Sequence, residues 1–201
     1  MLKRGWSRII CVASGPSLDA QQVAQIAAAQ ESGHWRLIVI NTTYQLFPTA
    51  DVLYAADGRW WDVHITAARA GCSGEFWTLD AGARDRHQLH YVTSIVGDWL
   101  PVEPDVICQG GNSGHQAIGL AARFGARRIV LVGYDMQRAG GRTHWHGDHP
   151  APLANGNPLA WVARFVPLAK DLAAAGISVV NASRETALQC FPRCGLVDAL
   201  Q

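Results

Sequence analysis

Ile9-Ile10-Cys11-Val12-Ala13-Ser14-Gly15-Pro16-Ser17-Leu18-Asp19 is an apolar run that breaks into a small polar corner and leads into an Ala- and Gln-rich stretch. A continuously apolar, β-branched run is what a strand covered on both faces requires. The same motif of strand, corner and helical stretch recurs to the end of the chain. Further strand-like runs lie at Leu37 to Asn41, Val52 to Asp57, Phe76 to Asp80, Tyr91 to Ile95, Asp105 to Gln109, Arg128 to Tyr134 and Ile177 to Asn181. Between them, Ser17 to Gln30 reads as a helix with Ser17 as its N-cap and Gly33 as its stop. Asn112 to Phe124 places Ala117, Leu120, Ala121 and Phe124 at helical spacing, closed by Gly125. Leu159 to Ala175 reads as the longest helix, kinked at Pro167. Strand and helix alternation predicts an α/β, Rossmann-like domain over residues 1–201: a mostly parallel, twisted sheet with helices on both faces.

Composition narrows the partners. Of the 201 residues, 49% are hydrophobic and 16% charged, with a formal net charge of +1. That is too apolar for disorder and too neutral for a nucleic-acid binder, so no nucleic-acid partner is expected. No apolar run approaches the roughly 20 residues that span a bilayer, and the N-terminus has no signal-peptide h-region, so a cytoplasmic protein with no membrane partner is expected. The five cysteines are scattered, and two fall in strand-like runs as reduced core thiols would. Cys190 and Cys194 are spaced to join a metal site but lack a second pair. Among the eight tryptophans, Trp60, Trp61 and Trp145 fall near expected loops, where an indole can stack on a ring ligand or cover the edge of the core. Composition leaves the oligomeric state open.

In open α/β sheets, ligands bind beyond the carboxyl ends of the strands. The residues there are Ser14, Asn41, Asp57, Asp80, Gln109, Asp135 and Asn181, nearly all polar. Turn chemistry explains any one of them; the set is explained by a polar ligand site. In Ser14-Gly15-Pro16-Ser17, Gly15 permits close backbone approach, Pro16 presets φ, and Ser17 opens a helix whose free N–H groups could cradle an anion. The corner matches neither G-x-G-x-x-G nor the P-loop pattern. A second glycine-rich helix start, Gln109-Gly110-Gly111-Asn112-Ser113-Gly114-His115, suits the phosphate and sugar of a nucleotide. Thr143-His144-Trp145-His146-Gly147-Asp148-His149 sits in a loop-like region from Arg138 through Pro158, and a loop this long in a compact domain is usually functional. Taken alone, T-H-x-H-x-D-H resembles the zinc motif of metallo-β-lactamases, which implies a metal-dependent hydrolase. No histidine follows His149 to complete that ligand set, and a long αβ pattern precedes it. The alternative is that His144, His146, His149 and Asp148 act as catalytic acid/base or phosphate-stabilising groups.

The runs A-S-G-P-S-L, I-N-T-T-Y, V-L-Y-A-A-D, G-G-N-S-G-H-Q-A-I-G-L-A-A-R-F-G-A-R-R-I-V-L-V-G-Y-D and N-A-S-R-E-T-A-L, in this order, resemble the 6-hydroxymethylpterin diphosphokinase MptE-like family. They also resemble the related family 42 bacterial sialyltransferases, and small phage or prophage proteins of the same type. The resemblance implies a nucleotide-dependent transferase with a nucleotide or nucleotide-sugar donor and a small-molecule acceptor. In the first group Mg2+ assists diphosphate transfer from ATP; in the second the donor is a cytidine-linked sugar. Carried over by motif, Gly15, Pro16 and Ser17 would lie by the donor phosphates. Asn41, Asp57 and Ser113 would line the nucleotide or donor sugar. From the strand-end and glycine-loop readings, Ser14, Gly111, Asn112, Gly114 and Asp135 complete the candidate nucleotide site; Asp57 and Asp135 are candidate Mg2+ ligands because hard carboxylates suit that ion, and Zn2+ is the ion the histidine loop would take. Two positions depart from the sialyltransferase pattern: Ser14 stands where Asn is usual, and so does Asp57. A third possibility keeps the fold as a non-catalytic nucleotide-binding protein.

Overall fold

A computed structural model of the chain describes residues 2–151, 153 and 156–201. Among these residues nine strands form: β1 (Arg8–Val12), β2 (Arg36–Ile40), β3 (Val52–Tyr54), β4 (Glu75–Thr78), β5 (His90–Tyr91), β6 (Thr93–Ile95), β7 (Val106–Cys108), β8 (Arg128–Val132) and β9 (Ser178–Asn181). The helices are α1 (Ala20–Glu31), α2 (Gly58–Gly71), α3 (Ala81–His87), α4 (Ser113–Phe124), α5 (Phe165–Ala174) and the short α6 (Leu196–Ala199). Seven strands make one sheet in the order β5-β4-β3-β2-β1-β8-β9, with every pairing parallel. The fold is therefore α/β and Rossmann-like, as the alternation predicted.

The period of two along each strand divides the core into two layers. Ile9 and Cys11 of β1 and Ile129 and Leu131 of β8 face one way, against Ala117, Leu120 and Phe124 of α4 and Phe165 and Leu172 of α5. Ile10, Val12, Val130 and Val132 face the other way, against Ile26 of α1, Trp60, Trp61 and Ala68 of α2, and Leu196 and Ala199 of α6. A strand buried on both faces has no use for polar residues, which is why these runs read as unbroken apolar stretches.

Four local expectations change. The run Tyr91 to Ile95 divides between two sheets: β5 extends the main sheet beside β4, while β6 pairs with β7 in a separate two-stranded ribbon. A hydrophobic pattern specifies strand conformation but not the partner. The first helix begins at Ala20 and is capped by Asp19, whose carboxylate accepts from the Gln22 N–H at 2.8 Å; Ser17 is not its cap because its hydroxyl is spent elsewhere. The stretch from Leu159 to Ala175 becomes a 3-10 helix, Pro158–Arg164, followed by α5. Pro167 thereby falls in the first turn of α5, where a missing N–H costs nothing, and no kink is needed. The longest helix is α2, and Trp60 and Trp61 lie buried within it rather than beside a loop.

Among the described residues, no helix is long and apolar enough to cross a membrane. All five cysteines are free thiols, and Cys11, Cys72 and Cys108 are buried. Arg123, Arg127 and Arg128 stand at the opposite edge of the sheet from the strand carboxyl ends. There Arg123 donates to the Val106 carbonyl and Arg128 to the Ala199 carbonyl, both at 2.8 Å.

Candidate functional site

The strand order reverses at β1: the chain first builds outward through β2 to β5 and then returns to place β8 on β1's other side. Such a switch point splays the connections apart at the carboxyl ends and leaves a crevice. A cleft of about 330 Å³ lies there. Its walls come from Ser14, Gly15 and Pro16 after β1, Asn41 after β2, Asp57 after β3, Gly111 to Gly114 at the start of α4, Gly133 to Gln137 after β8, and Thr143, His144 and His149 of the histidine loop. Of the expected site residues, Ser17, His146 and Asp148 lie off this surface.

The Ser-Gly-Pro-Ser corner is a brace. Gly15 N–H donates to the Gly133 carbonyl at 2.8 Å, and Ser17 gives Asp135 two hydrogen bonds, backbone N–H to Oδ2 at 2.7 Å and hydroxyl to Oδ1 at 2.8 Å. A Cβ on Gly15 would fall 2.2 Å from Asp135 Oδ1 and 2.4 Å from the Gly133 oxygen. Glycine is required here for close approach, not for an unusual φ. The closing N-A-S-R-E-T-A-L segment tightens the same region: Ser183 Oγ accepts from Tyr134 N–H at 2.8 Å, and Thr186 donates to the Tyr134 carbonyl at 2.7 Å. Burial pushes Asp135 up to about 6, against the pull of its two Ser17 bonds and with Glu185 adding to the rise.

Among the described residues, only α4 brings a helix start to the cleft from a glycine turn. Gly110 and Gly111 have φ of 54° and 80°, and Asn112 Oδ1 caps the His115 N–H at 2.9 Å. The N–H groups of Ser113 and Gly114 follow, with the positive end of a 12-residue helix behind them. At α1 the anion cradle expected from Ser17 does not form, because Asp19 already places a carboxylate on that terminus and pairs it with Arg184. Asp57 caps α2 through Arg59 N–H at 2.9 Å and keeps an exposed carboxylate at the cleft edge. Asn41 adopts φ 51°, a strained left-handed conformation for a non-glycine residue.

The remaining strand-end residues do turn work. Asp80 caps α3 at Ala83 N–H (2.7 Å), Asn181 accepts from Ser183 N–H (3.0 Å), and the Gln109 carbonyl accepts from Gln116 Nε2 (2.6 Å). Magnesium does not fit the Asp57 and Asp135 pair. A hard divalent ion needs ionised carboxylate oxygens free to point at it. Asp135 has both oxygens engaged by Ser17.

The histidine loop is stitched to the corner. Trp145 N–H donates to the Ser14 carbonyl at 3.0 Å, and Ser14 Oγ lies 2.9 Å from His144 Nδ1. The three rings gather with centroids 5.1 Å (His144–His146), 4.8 Å (His144–His149) and 5.0 Å (His146–His149) apart. Burial lowers all three, and the neighbouring rings lower His144 and His146 further, so that each of those two falls to about 4. These are neutral imidazoles, suited to offering lone pairs and unsuited to gripping phosphate as cations. Asp148 is exposed at the loop surface.

Several cleft residues carried no sequence signal. Trp161 forms part of the wall, whereas Trp60, Trp61 and Trp145 do not. Trp161 lies on a segment with ordinary helical spacing, and only the turn into α5 brings it over Gly111, where a Cβ would meet its Cδ1 at 3.2 Å. Gln116 lines the floor, linked to Tyr54 by the phenol hydroxyl at 3.0 Å. His64, four residues along α2 from Trp60, stacks on that indole at 4.6 Å and is near enough for its charge to bear on His146. Neither a family model nor a curated protein sequence matches the chain.

Proposed function

We propose that the protein is a nucleotide-dependent transferase of the MptE-like, diphosphokinase kind, holding its donor in the switch-point cleft. What carries this reading is convergence. The glycine-turn helix start at the cleft, that of α4, shares the cleft with Asn41, Asp57 and the wall formed by His144 and His149. Donor phosphates would lie against the Ser113 and Gly114 N–H groups, where backbone donors and the helix dipole favour an anion. The Asp57 carboxylate at the edge would accept from a sugar hydroxyl. The neutral rings of His144 and His149 would stand beside the reacting centre as acceptors. Magnesium supplied with a triphosphate would screen phosphate charge, since Asp135 is engaged by Ser17 and does not join Asp57 in holding it.

That misfit favours a second reading, a sialyltransferase-like glycosyltransferase whose cytidine-linked donor carries its phosphate without a protein-bound magnesium. Thermal unfolding of metal-stripped protein separates the two. Each of ATP, GTP, CTP, CMP and a cytidine-linked sugar would be added with and without magnesium. A ligand at about 100 times its Kd adds roughly 2.7 kcal/mol. A magnesium-dependent shift with a purine triphosphate supports the diphosphokinase reading, and a metal-independent shift confined to cytidine ligands supports the glycosyltransferase. No shift with any of them overturns both. Turnover lost in His149→Ala with binding retained would give the loop its place in the chemistry; tight binding with no turnover in the wild type would mark a nucleotide-binding protein.

A further inference from the structure

We propose that His144, His146 and His149 form a binding site for one zinc-class divalent transition-metal ion at the rim of the cleft, with a coordination position open to the cleft. One ligand nitrogen from each ring lies within 4.8 Å of the others, and among the described residues this is the one group of three or more potential ligands so gathered. Nitrogens around a tetrahedral zinc, at bonds of 2.0–2.1 Å, stand roughly 3.3 Å apart, so small ring rotations close the shell. The donor set selects the ion: three imidazoles suit zinc, copper, nickel or iron and are poor ligands for magnesium or calcium.

Three further observations point to a ligand. His146 Nε2 is buried with no hydrogen-bond partner among the described residues, and so is His64 Nε2 on the adjoining helix. A buried polar atom left unpaired is costly, a cost that a metal–nitrogen bond would remove at His146. His144 is oriented from behind: when its Nδ1–H donates to Ser14 Oγ, 2.9 Å away, Nε2 keeps its lone pair for a metal. The backbone is shaped for the gathering, since Gly147, at φ 89°, folds the loop so that His149 returns to the first two rings.

The site is not the metallo-β-lactamase arrangement, because Asp148 stands outside the cluster and no later histidine completes a second ion. His144 and His149 also line the cleft, so the open position faces the donor site. A metal there would polarise a phosphoryl or carbonyl oxygen, or acidify a bound water, beside the α4 terminus. The inference stands on the ring geometry and does not depend on the donor's being a nucleotide.

The test is titration of chelator-stripped protein with Zn2+, Co2+ and Mg2+, read by metal stoichiometry and by the visible band of tetrahedral cobalt. We expect one equivalent of zinc or cobalt per chain and no magnesium. Affinity should fall about 10–100-fold in Ser14→Ala, which removes the orienting partner, and further in His146→Ala. The exposed His34→Ala serves as control and should bind as the wild type does. Circular dichroism establishes that each variant is folded. The proposal is overturned if folded wild type binds zinc no more tightly than the His144→Ala/His146→Ala/His149→Ala variant, or if His34→Ala weakens binding as much as His146→Ala. A loss in His64→Ala equal to that in His146→Ala would overturn the open position, since the fourth ligand would then be His64.

Discussion

Gly15 and Asp135 are strand-end residues whose role is set by each other: the glycine lets the corner close on the carboxylate. Both sit where β1 and β8 deliver their ends, yet they meet each other as well as the cleft. Gly15→Ala forces a methyl into contact with the Asp135 carboxylate and the Gly133 carbonyl, and backbone cannot move aside as a flexible side chain does. Such overpacking costs about 1–3 kcal/mol or more, and urea unfolding of the variant should show at least that loss. Asp135 makes a pH dependence of unusual sign. Its folded value, about 6, lies above the ordinary 3.8, so the folded state keeps a proton that the unfolded chain has already released between those values. Its contribution is fully present below pH 3.8 and is lost as the pH rises through about 6. The charged group bearing on it is Glu185, and its donors are both from Ser17. Asp135→Asn does not ionise, so the stability of wild type relative to this variant should rise on going from pH 7 to pH 4.5, by about 2 kcal/mol. An unchanged difference across that range would place the carboxylate in a better-solvated setting.

At the level of elements, α4 matters most because it serves the core with its length and the cleft with its first turn. Its apolar face, Ala117, Leu120, Ala121 and Phe124, is legible from spacing alone, and so is its closing Gly125 at φ 103°. Asn112 holds the first turn by accepting from His115 N–H. Asn112→Ala should cost about 0.5–2 kcal/mol in unfolding free energy and should weaken phosphate-bearing ligands more than zinc. The histidine rings are fixed through Ser14, not through Asn112. Equal weakening of both would mean that the loop and the helix start move as one unit. The boundaries of α1 and α5 escaped the sequence for a common reason: Ser17 and Pro167 are each compatible with two helix starts, and tertiary partners choose between them. Asp135 draws Ser17 away from capping, and the 3-10 turn before Phe165 moves Pro167 into a first turn.

The whole molecule separates what stabilises it from what it does. Phe124 lies at the far end of α4 from the cleft, with Trp6 and Trp77 edge-on at 5.2 Å and 5.3 Å and the Arg4 guanidinium 4.9 Å from its ring centre. Phe124→Ala should cost about 3–5 kcal/mol through lost burial and a residual cavity. Zinc and nucleotide affinities of the folded fraction should stay unchanged, because Phe124, Trp6 and Trp77 do not line the cleft; a parallel loss of affinity would show that the helix transmits strain along its length. The sequence by itself determined the fold class, nearly every strand and the polar residues at the strand ends, since those follow from periodicities of two and 3.6 that survive in one dimension. Only the tertiary structure decided which polar ends share a cleft. Ser14, Asn41, Asp57 and Asp135 meet because β1 is the switch point, while Asp80 and Asn181, equally polar, fall to helix-capping and turn duty. It also decided that His144, His146 and His149 form one cluster anchored to Ser14, 130 residues away in sequence. Strand order and loop return are long-range choices, set by which apolar faces bury together, and no local pattern of residues encodes them.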